Sequence, residues 1–413
     1  PSVAAQTEQV LGVTQSASTQ VWPRASPSVS AHTEQVLGAS VVASIHLSRK
    51  NVKAARINVT QAIWFSTLAV LVAIVVVELM PERFSYLLGA SPTLLPMVRD
   101  YMVYLMPSGV AQMWSIVGLF IIRLDGAPKY AMWCNVVPAV ANMFLDWLFI
   151  FPLGMGVKGA AIASLISAVI GGVMAIVYLL RYADTLMLRK LKMSLTSIRL
   201  TLRNIAYQCK IGFSAFLGEL TMALLMITGN YVFMEYLGNA GVAAFGVACY
   251  YLPFVFMFGN SIAESAQPII SYNYGSGNNE RVQQTLSISV RTGVVSSLLS
   301  IVAFTLFPQA LVHLFIAADD PAALIAIEGF PYFAAGFLFF ILNLIAIGYF
   351  QSIEKVVPAT LFAILRGALF MIPSFLLLPQ WLGSEGMWLA VPLSEALTFV
   401  VVVTYFVANR KRI

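Results

Sequence analysis

Charge is what this chain has least of. Asp, Glu, Lys and Arg make up 10% of its 413 residues, against roughly 25% in soluble domains. Histidine is scarcer still: His32, His46 and His313 stand too far apart for a zinc or haem constellation. The three cysteines, Cys134, Cys209 and Cys249, all fall in apolar segments, and an odd, buried set is neither a disulfide framework nor a metal site. No G-x-x-x-x-G-K-S/T loop occurs, which excludes ATP binding in the P-loop manner. No interfacial cluster of His, Cys or Asp exists of the kind an integral-membrane enzyme requires. These absences point to a protein that is not an enzyme and needs no organic cofactor.

Apolar sequence fills the space instead. Hydrophobic residues reach 59%, with a mean hydropathy of +0.84. Long apolar runs predict ten membrane crossings, at roughly 58–80, 96–122, 130–151, 157–180, 207–236, 241–270, 284–309, 327–351, 356–379 and 387–408. The fold class is therefore an all-α polytopic membrane protein. Pro107, Pro138, Pro253 and Pro373 lie inside these runs and favour kinks. Trp381 and Tyr349, near span ends, read as interface anchors.

The net charge of +6 carries no nucleic-acid signal, because the bases sit in short loops on alternate sides of the spans. Arg49, Lys50, Lys53 and Arg56 precede the first span, and Arg123 and Lys129 occupy the second connection. Arg181, Arg189, Lys190, Lys192, Arg199 and Arg203 follow the fourth span, and Arg281, Lys355 and the tail from Arg410 complete the set. The other connections hold Asp319, Asp320, Glu328 and Glu385. This asymmetry predicts a cytoplasmic C-terminus.

The chain repeats itself at an offset of 227. Ser44 and Asn51 match Ser271 and Asn278, and Pro152, Gly159, Ala163 and Ser167 match Pro379, Gly386, Ala390 and Ser394. An even number of spans per copy predicts two parallel helical bundles. We read 38–180 as an N-terminal lobe of about four spans, 181–205 as a basic amphipathic cytoplasmic linker, 206–409 as a C-terminal lobe of six spans, and 410–413 as a basic tail. Residues 1–37 carry their own duplication (Pro1–Gly12 against Pro27–Gly38) and read as an atypical, disordered segment. The register leaves the first two spans of the second copy without partners in the first, and 38–48 reads as the cytoplasmic end of a second helix.

Against this apolar background, ionisable groups at membrane depth stand out, since a carboxylate there costs on the order of 2.5–3.5 kcal/mol on insertion scales. Asp146 follows Asn142 by four residues, and helical geometry puts Asn135, Asn142 and Asp146 within about 20° of one direction. Glu219 lies mid-span, where it is a candidate proton or substrate carboxylate or the partner of Arg366, itself inside an apolar run. Asn260, Glu264, Gln267 and Ser271 recur at helical spacing as a second polar stripe, with Asn260 and Gln267, like Asn135, as candidate cavity residues; Glu264 and Glu395, the latter beside Ser394 and Thr398, are further candidate proton or substrate carboxylates. Two aromatic stretches, Tyr250–Phe258 and Phe330–Phe340, are candidates for lining a cavity for flat cations, although most such rings face lipid or other helices.

Two runs, Asn142-Met-Phe-Leu-Asp146-Trp-Leu-Phe-Ile and Gly156-Val-Lys-Gly-Ala-Ala-Ile-Ala-Ser-Leu-Ile-Ser167, resemble the fifth and sixth helices of the multidrug and toxic compound extrusion (MATE) family. Glu264-Ser-Ala-Gln-Pro-Ile-Ile-Ser-Tyr-Asn-Tyr-Gly-Ser-Gly277 is similar to the end of its eighth. The resemblance spans roughly 38–408. It implies two six-helix lobes in a bacterial inner membrane, exchanging Na+ or H+ for cationic, amphipathic drugs. It also implies a cation site from Asn142, Asp146 and Ser164, with Asp146 and Asn142 as ligands if the ion is Na+. The family also uses an aspartate on its first helix, for which the register offers no position here. The partners implied are small cationic compounds and the bilayer, for a monomer. Alternative readings are an inactive, truncated remnant of such a transporter and a flippase of a lipid-linked precursor.

Overall fold

The computed structural model describes residues 38–87, 95–189, 191 and 194–409. The expectations for 1–37, for 410–413 and for Lys190 and Lys192 lie outside the described residues. Every regular element among the described residues is a helix. The chain divides into two compact units, up to Phe213 and from Ser214.

The first unit opens with a short apolar helix, α1 (Gly38–Ser48). Then come α2 (Val52–Leu79), α3 (Pro81–Leu87), α4 (Leu95–Leu105) and α5 (Gly109–Leu124), with a 3-10 turn at Met106–Ser108 where Pro107 interrupts the second predicted span. The helices α6 (Pro128–Ile150) and α7 (Gly156–Val177) follow, and α7 ends in a π turn, Tyr178–Tyr182. Helix α7 is the unit's central element and packs on α4, α5 and α6. Its buried face is almost side-chain-free: Gly159, Ala161, Ala163, Ser167, Ala168, Gly171, Gly172 and Ala175. Small residues let membrane helices approach backbone to backbone, where dispersion and weak polar contacts replace the hydrophobic drive available in water. At Gly172 an added Cβ would lie 2.5 Å from the Ala111 carbonyl oxygen, and at Gly118 one would lie 2.3 Å from the Ala175 Cβ.

On the basic side of this unit, Asp125 at the end of α5 gathers the chain leaving α7. Its carboxylate accepts from the amides of Asp184 (3.0 Å), Thr185 (2.9 Å) and Leu186 (2.8 Å), from the Thr185 hydroxyl (2.5 Å) and from the Tyr178 hydroxyl (3.1 Å). Arg56 clasps the same turn by donating to the carbonyls of Thr185 and Asp184. The expected linker is thus partly a pinned turn, and from Leu195 onward it is helix. The unit boundary falls after residue 213, not at 206. The physical reason is a buried amide network: Gln208 Nε2 donates to Asn58 Oδ1 at 3.2 Å, Asn204 Nδ2 donates to Asn58 Oδ1 and Gln61 Oε1, and Gln61 donates to Thr201. These bonds hold the start of α8 to α2.

The second unit contains the rest of α8 (Leu195–Gly275), α9 (Asn279–Leu306), α10 (Pro308–Val312), α11 (Pro321–Ala334), α12 (Phe337–Ser352) and α13 (Val356–Ile364). A π turn at Leu365–Leu369 then leads into α14 (Met371–Ala408). Gly238 (φ 60°) breaks α8 and Gly383 (φ 59°) breaks α14, in backbone conformations that glycine alone adopts cheaply. Among the described residues, seven stretches are long and apolar enough to cross a membrane, or eight if α11 and α12, bent by 49°, form one span. Gly238 and Gly383 break two of the seven where the sequence predicts connections, between 236 and 241 and between 379 and 387. The core here is aromatic. Phe233 stacks on Phe245 (4.6 Å) and meets the edge of Trp388 (4.9 Å), whose indole covers Gly329. Phe330, Phe333, Phe337 and Phe340 are all buried in that core, whereas Phe254, Met257 and Phe258 are exposed. Of the expected interface anchors, Trp381 is exposed, but Tyr349 is buried against Phe350 and Phe406, because α14 covers it. Of the cysteines, Cys134 and Cys249 are buried, but Cys209, beside Gln208 on α8, is exposed.

The repeat is visible in the backbone. Asn51 caps α2 by accepting from the Ala54 amide at 3.1 Å, and Asn278 caps α9 by accepting from Arg281 at 3.2 Å. Each cap follows a left-handed residue, Lys50 (φ 58°) and Gly277 (φ 77°). The bonds Asn51 N to His46 O and Asn278 N to Asn273 O are both 2.9 Å. Gly156 (φ 56°) and Gly383 (φ 59°) occupy the same offset at the next equivalent turn.

Candidate functional site

The candidate site of the first unit lies on α6 where it packs against α7. Most of α6 is apolar and outward-facing, with Val140, Met143, Phe144 and Trp147 exposed. Asn142 and Asp146 occupy the partly covered face, one turn apart. Each has a buried polar atom with no hydrogen-bond partner, Asn142 Nδ2 and Asp146 Oδ1. Leaving such groups unmet costs about 1–3 kcal/mol each, more for a charge. Folded proteins tolerate that where a ligand, ion or proton supplies the missing interaction. Ser164 lies half-buried on α7, its carbonyl accepting from Ser167. A carboxylate, an amide and a hydroxyl on two packed helices are the hard-oxygen donor set that suits Na+, and the carboxylate by itself suits H+. Tyr101, half-buried on α4, lies within electrostatic range of Asp146. Sequence reasoning missed it, because a tyrosine near a span end reads as an interface anchor.

Asn135 does not share this enclosure. Its side chain is exposed and donates to Ala131 O at 3.1 Å on its own helix. Pro138 lies between it and Asn142, which with Asp146 is half-buried.

In the second unit the predicted carboxylates have different fates. Glu395 is buried on α14 and bound from two sides. Arg366 donates to Oε1 through Nη2 (2.8 Å) and Nε (3.0 Å), and Asn343 of α12 donates to Oε2 (2.7 Å). The guanidinium also lies 4.4 Å from the ring centre of Phe340. Arg366, offered by sequence as a partner for Glu219, is thus held by Glu395. The π turn is the reason: it swings Arg366 toward α14 and seats Gly367 against Thr221 of α8. Glu219 is half-buried and makes no hydrogen bond or ion pair among the described residues. Gln267 is buried and donates to Ser271 at 3.3 Å, while Asn260 and Glu264, two turns and one turn earlier, are half-buried. No group of three or more His, Cys, Asp or Glu side chains able to hold a metal occurs among the described residues.

Comparison with known proteins gives a consistent result. A family profile described as MatE matches residues 21–148 and 215–376. A protein named multidrug export protein MepA from Staphylococcus saprophyticus is 27% identical over 327 residues, covering 76% of this chain and 68% of that protein. A protein named FAD transporter from Shewanella oneidensis is 26% identical over 248 residues, covering 59% of this chain and 53% of its own length. Among solved structures, an outward-facing multidrug resistance MATE family transporter of the MOP superfamily aligns with a TM-score of 0.85 at 20% identity. That alignment covers 96% of this chain and 87% of the solved one, and shows the fold.

Proposed function

The chain belongs to the MATE family of multi-pass membrane transporters, and from that premise we propose that it is a secondary-active multidrug exporter. It exchanges Na+ or H+ for cationic, amphipathic compounds, as a monomer in a bacterial inner membrane with its C-terminus in the cytoplasm. Asn142, Asp146 and Ser164 form the ion-coupling site. The observation that carries this reading is the pair of buried atoms without partners, Asp146 Oδ1 and Asn142 Nδ2, on one helix face at membrane depth. Glu219, without a partner among the described residues, is the second candidate carrier of a proton or contact for a cationic substrate. Coupling requires that the ion bind the two transport states with different affinity, because equal binding shifts no equilibrium. Occupancy of Asp146 by the incoming ion would stabilise the state from which drug has left. Loss of the ion would restore a negative site that favours a cation.

The test is efflux from proteoliposomes under imposed Na+ and pH gradients, paired with growth of a drug-hypersensitive host. Asp146→Asn should lower gradient-driven efflux at least about tenfold while leaving the amount of folded protein unchanged. Equal resistance from variant and parent, at equal expression, would remove Asp146 from the mechanism. A parent chain no more protective than the empty host would favour the inactive-remnant reading.

A second reading is export of an anionic flavin nucleotide, which the Shewanella oneidensis FAD transporter suggests. Release of FAD, and not of a cationic dye, from loaded vesicles would select it. Flipping of a lipid-linked pyrophosphate finds less support, because Arg366, a base at membrane depth, is already neutralised by Glu395.

A further inference from the structure

Helix α8 starts at Leu195, shortly after the turn that Asp125 and Arg56 pin on the basic side of the first unit. In its first four or so turns the helix has two faces. Thr201, Asn204 and Gln208 point inward to Asn58 and Gln61 of α2. On the opposite side, Arg199, Arg203 and Lys210 form a basic stripe at i, i+4 and i+11, exposed and without a hydrogen bond or ion pair among the described residues. Apolar side chains flank the stripe, with Leu200 59% and Leu202 58% exposed. Nearby acid is already engaged: the Asp125 carboxylate accepts from the turn that precedes this helix.

We propose that this outer face of α8 is a binding surface for anionic phospholipid headgroups, with Arg199, Arg203 and Lys210 on the phosphates and Leu200 and Leu202 against the upper acyl chains. The arguments are charge complementarity and the exposed apolar residues beside the bases. A guanidinium offers paired donors to phosphate oxygens, and bases at a membrane surface add their attractions to anionic lipid. The apolar flanks separate this from a merely solvated basic face, since an amphipathic helix with basic and apolar exposure lies in the interface. The inner amide network keeps the helix from rotating the stripe away.

Cys209 supplies the reporter, being exposed while Cys134 and Cys249 are buried. A fluorophore on Cys209 of the full chain, reconstituted in vesicles, would be read against phosphatidylglycerol or phosphatidylcholine carrying brominated acyl chains. The parent should be quenched several-fold more by brominated phosphatidylglycerol than its share of the bilayer dictates. The triple variant Arg199→Gln/Arg203→Gln/Lys210→Gln should lose that enrichment by about tenfold or to parity. A control variant of exposed bases in the second unit, Arg281→Gln/Arg291→Gln, should keep it. Equal quenching by both lipids in the parent overturns the proposal, as does enrichment that survives the triple variant or vanishes equally in the control. Enrichment abolished by millimolar inorganic phosphate would assign the stripe to a free anion and overturn the lipid assignment.

Discussion

In the first unit a carboxylate at membrane depth, Asp146, keeps a buried oxygen that no donor reaches. In the second, Glu395 is met by Arg366 and Asn343 and lies almost wholly out of reach of solvent. The two units share a backbone design down to their helix caps, yet neither polar arrangement has a copy in the other. At the offset of 227, Arg366, Asn343 and Glu395 fall on Ala139, Ile116 and Ala168, and Asp146 and Asn142 fall on Pro373 and Leu369. The closing of the helices differs in the same sense. Around α7, glycine and alanine bring backbones together, whereas in the second unit Phe233, Phe245, Phe330 and Trp388 fill the space. A duplicated fold has therefore kept its turns, which fix chain direction, and has let the polar chemistry diverge. An unmet carboxylate is available to an ion; a satisfied one holds helices in place.

The contrast can be broken most forcefully at Glu395. Glu395→Ala leaves the Arg366 guanidinium buried and unpaired, an expected loss of about 3–5 kcal/mol, seen as a collapse in the yield of monodisperse protein. The double variant Arg366→Met/Glu395→Leu should recover most of that stability, since an apolar pair of similar volume replaces the ion pair at little or no cost. Failure of the double to recover would mean the pair does more than neutralise itself.

A smaller effect is expected at the small-residue seam. Gly172→Leu places a side chain against the Ala111 backbone, which has no flexible end to yield. An overpacking loss of about 1–3 kcal/mol should appear as a lower midpoint in thermal unfolding. A glycine substitution in the second unit, Gly246→Ala, meets nothing within 4 Å and should be neutral or stabilising by up to about 1 kcal/mol. Equal destabilisation by both would deny that the two units close differently.

The least effect on stability is expected at Asp146. Asp146→Asn preserves size and removes only a charge that no partner in its own unit meets, so its unfolding midpoint should stay close to the parent's while efflux falls. A large drop in the midpoint would place Asp146 with Glu395, as a structural contact.

Fold class, the long apolar spans and the repeat were legible because each depends on local sequence. A run of about 20 apolar residues has to cross or be buried whatever surrounds it, and a capping asparagine needs only its own next turn. The candidate pair Asn142 and Asp146 was legible for the same reason, being one helical turn apart on a single segment. Tyr101 was not, since its nearness to Asp146 spans two helices and leaves no mark on spacing.

What the sequence determined alone is that carboxylates and an arginine lie within apolar helices, where each must find a partner or serve an exchangeable ion. Which acid meets which fate was decided by tertiary structure. Arg366, in the π turn at 365–369, pairs with Glu395 and not with Glu219, and no base pairs with Asp146 among the described residues. Pairing is a matter of direction across helices, and direction is set by bulges, kinks and close glycine contacts whose geometry emerges only when the helices pack.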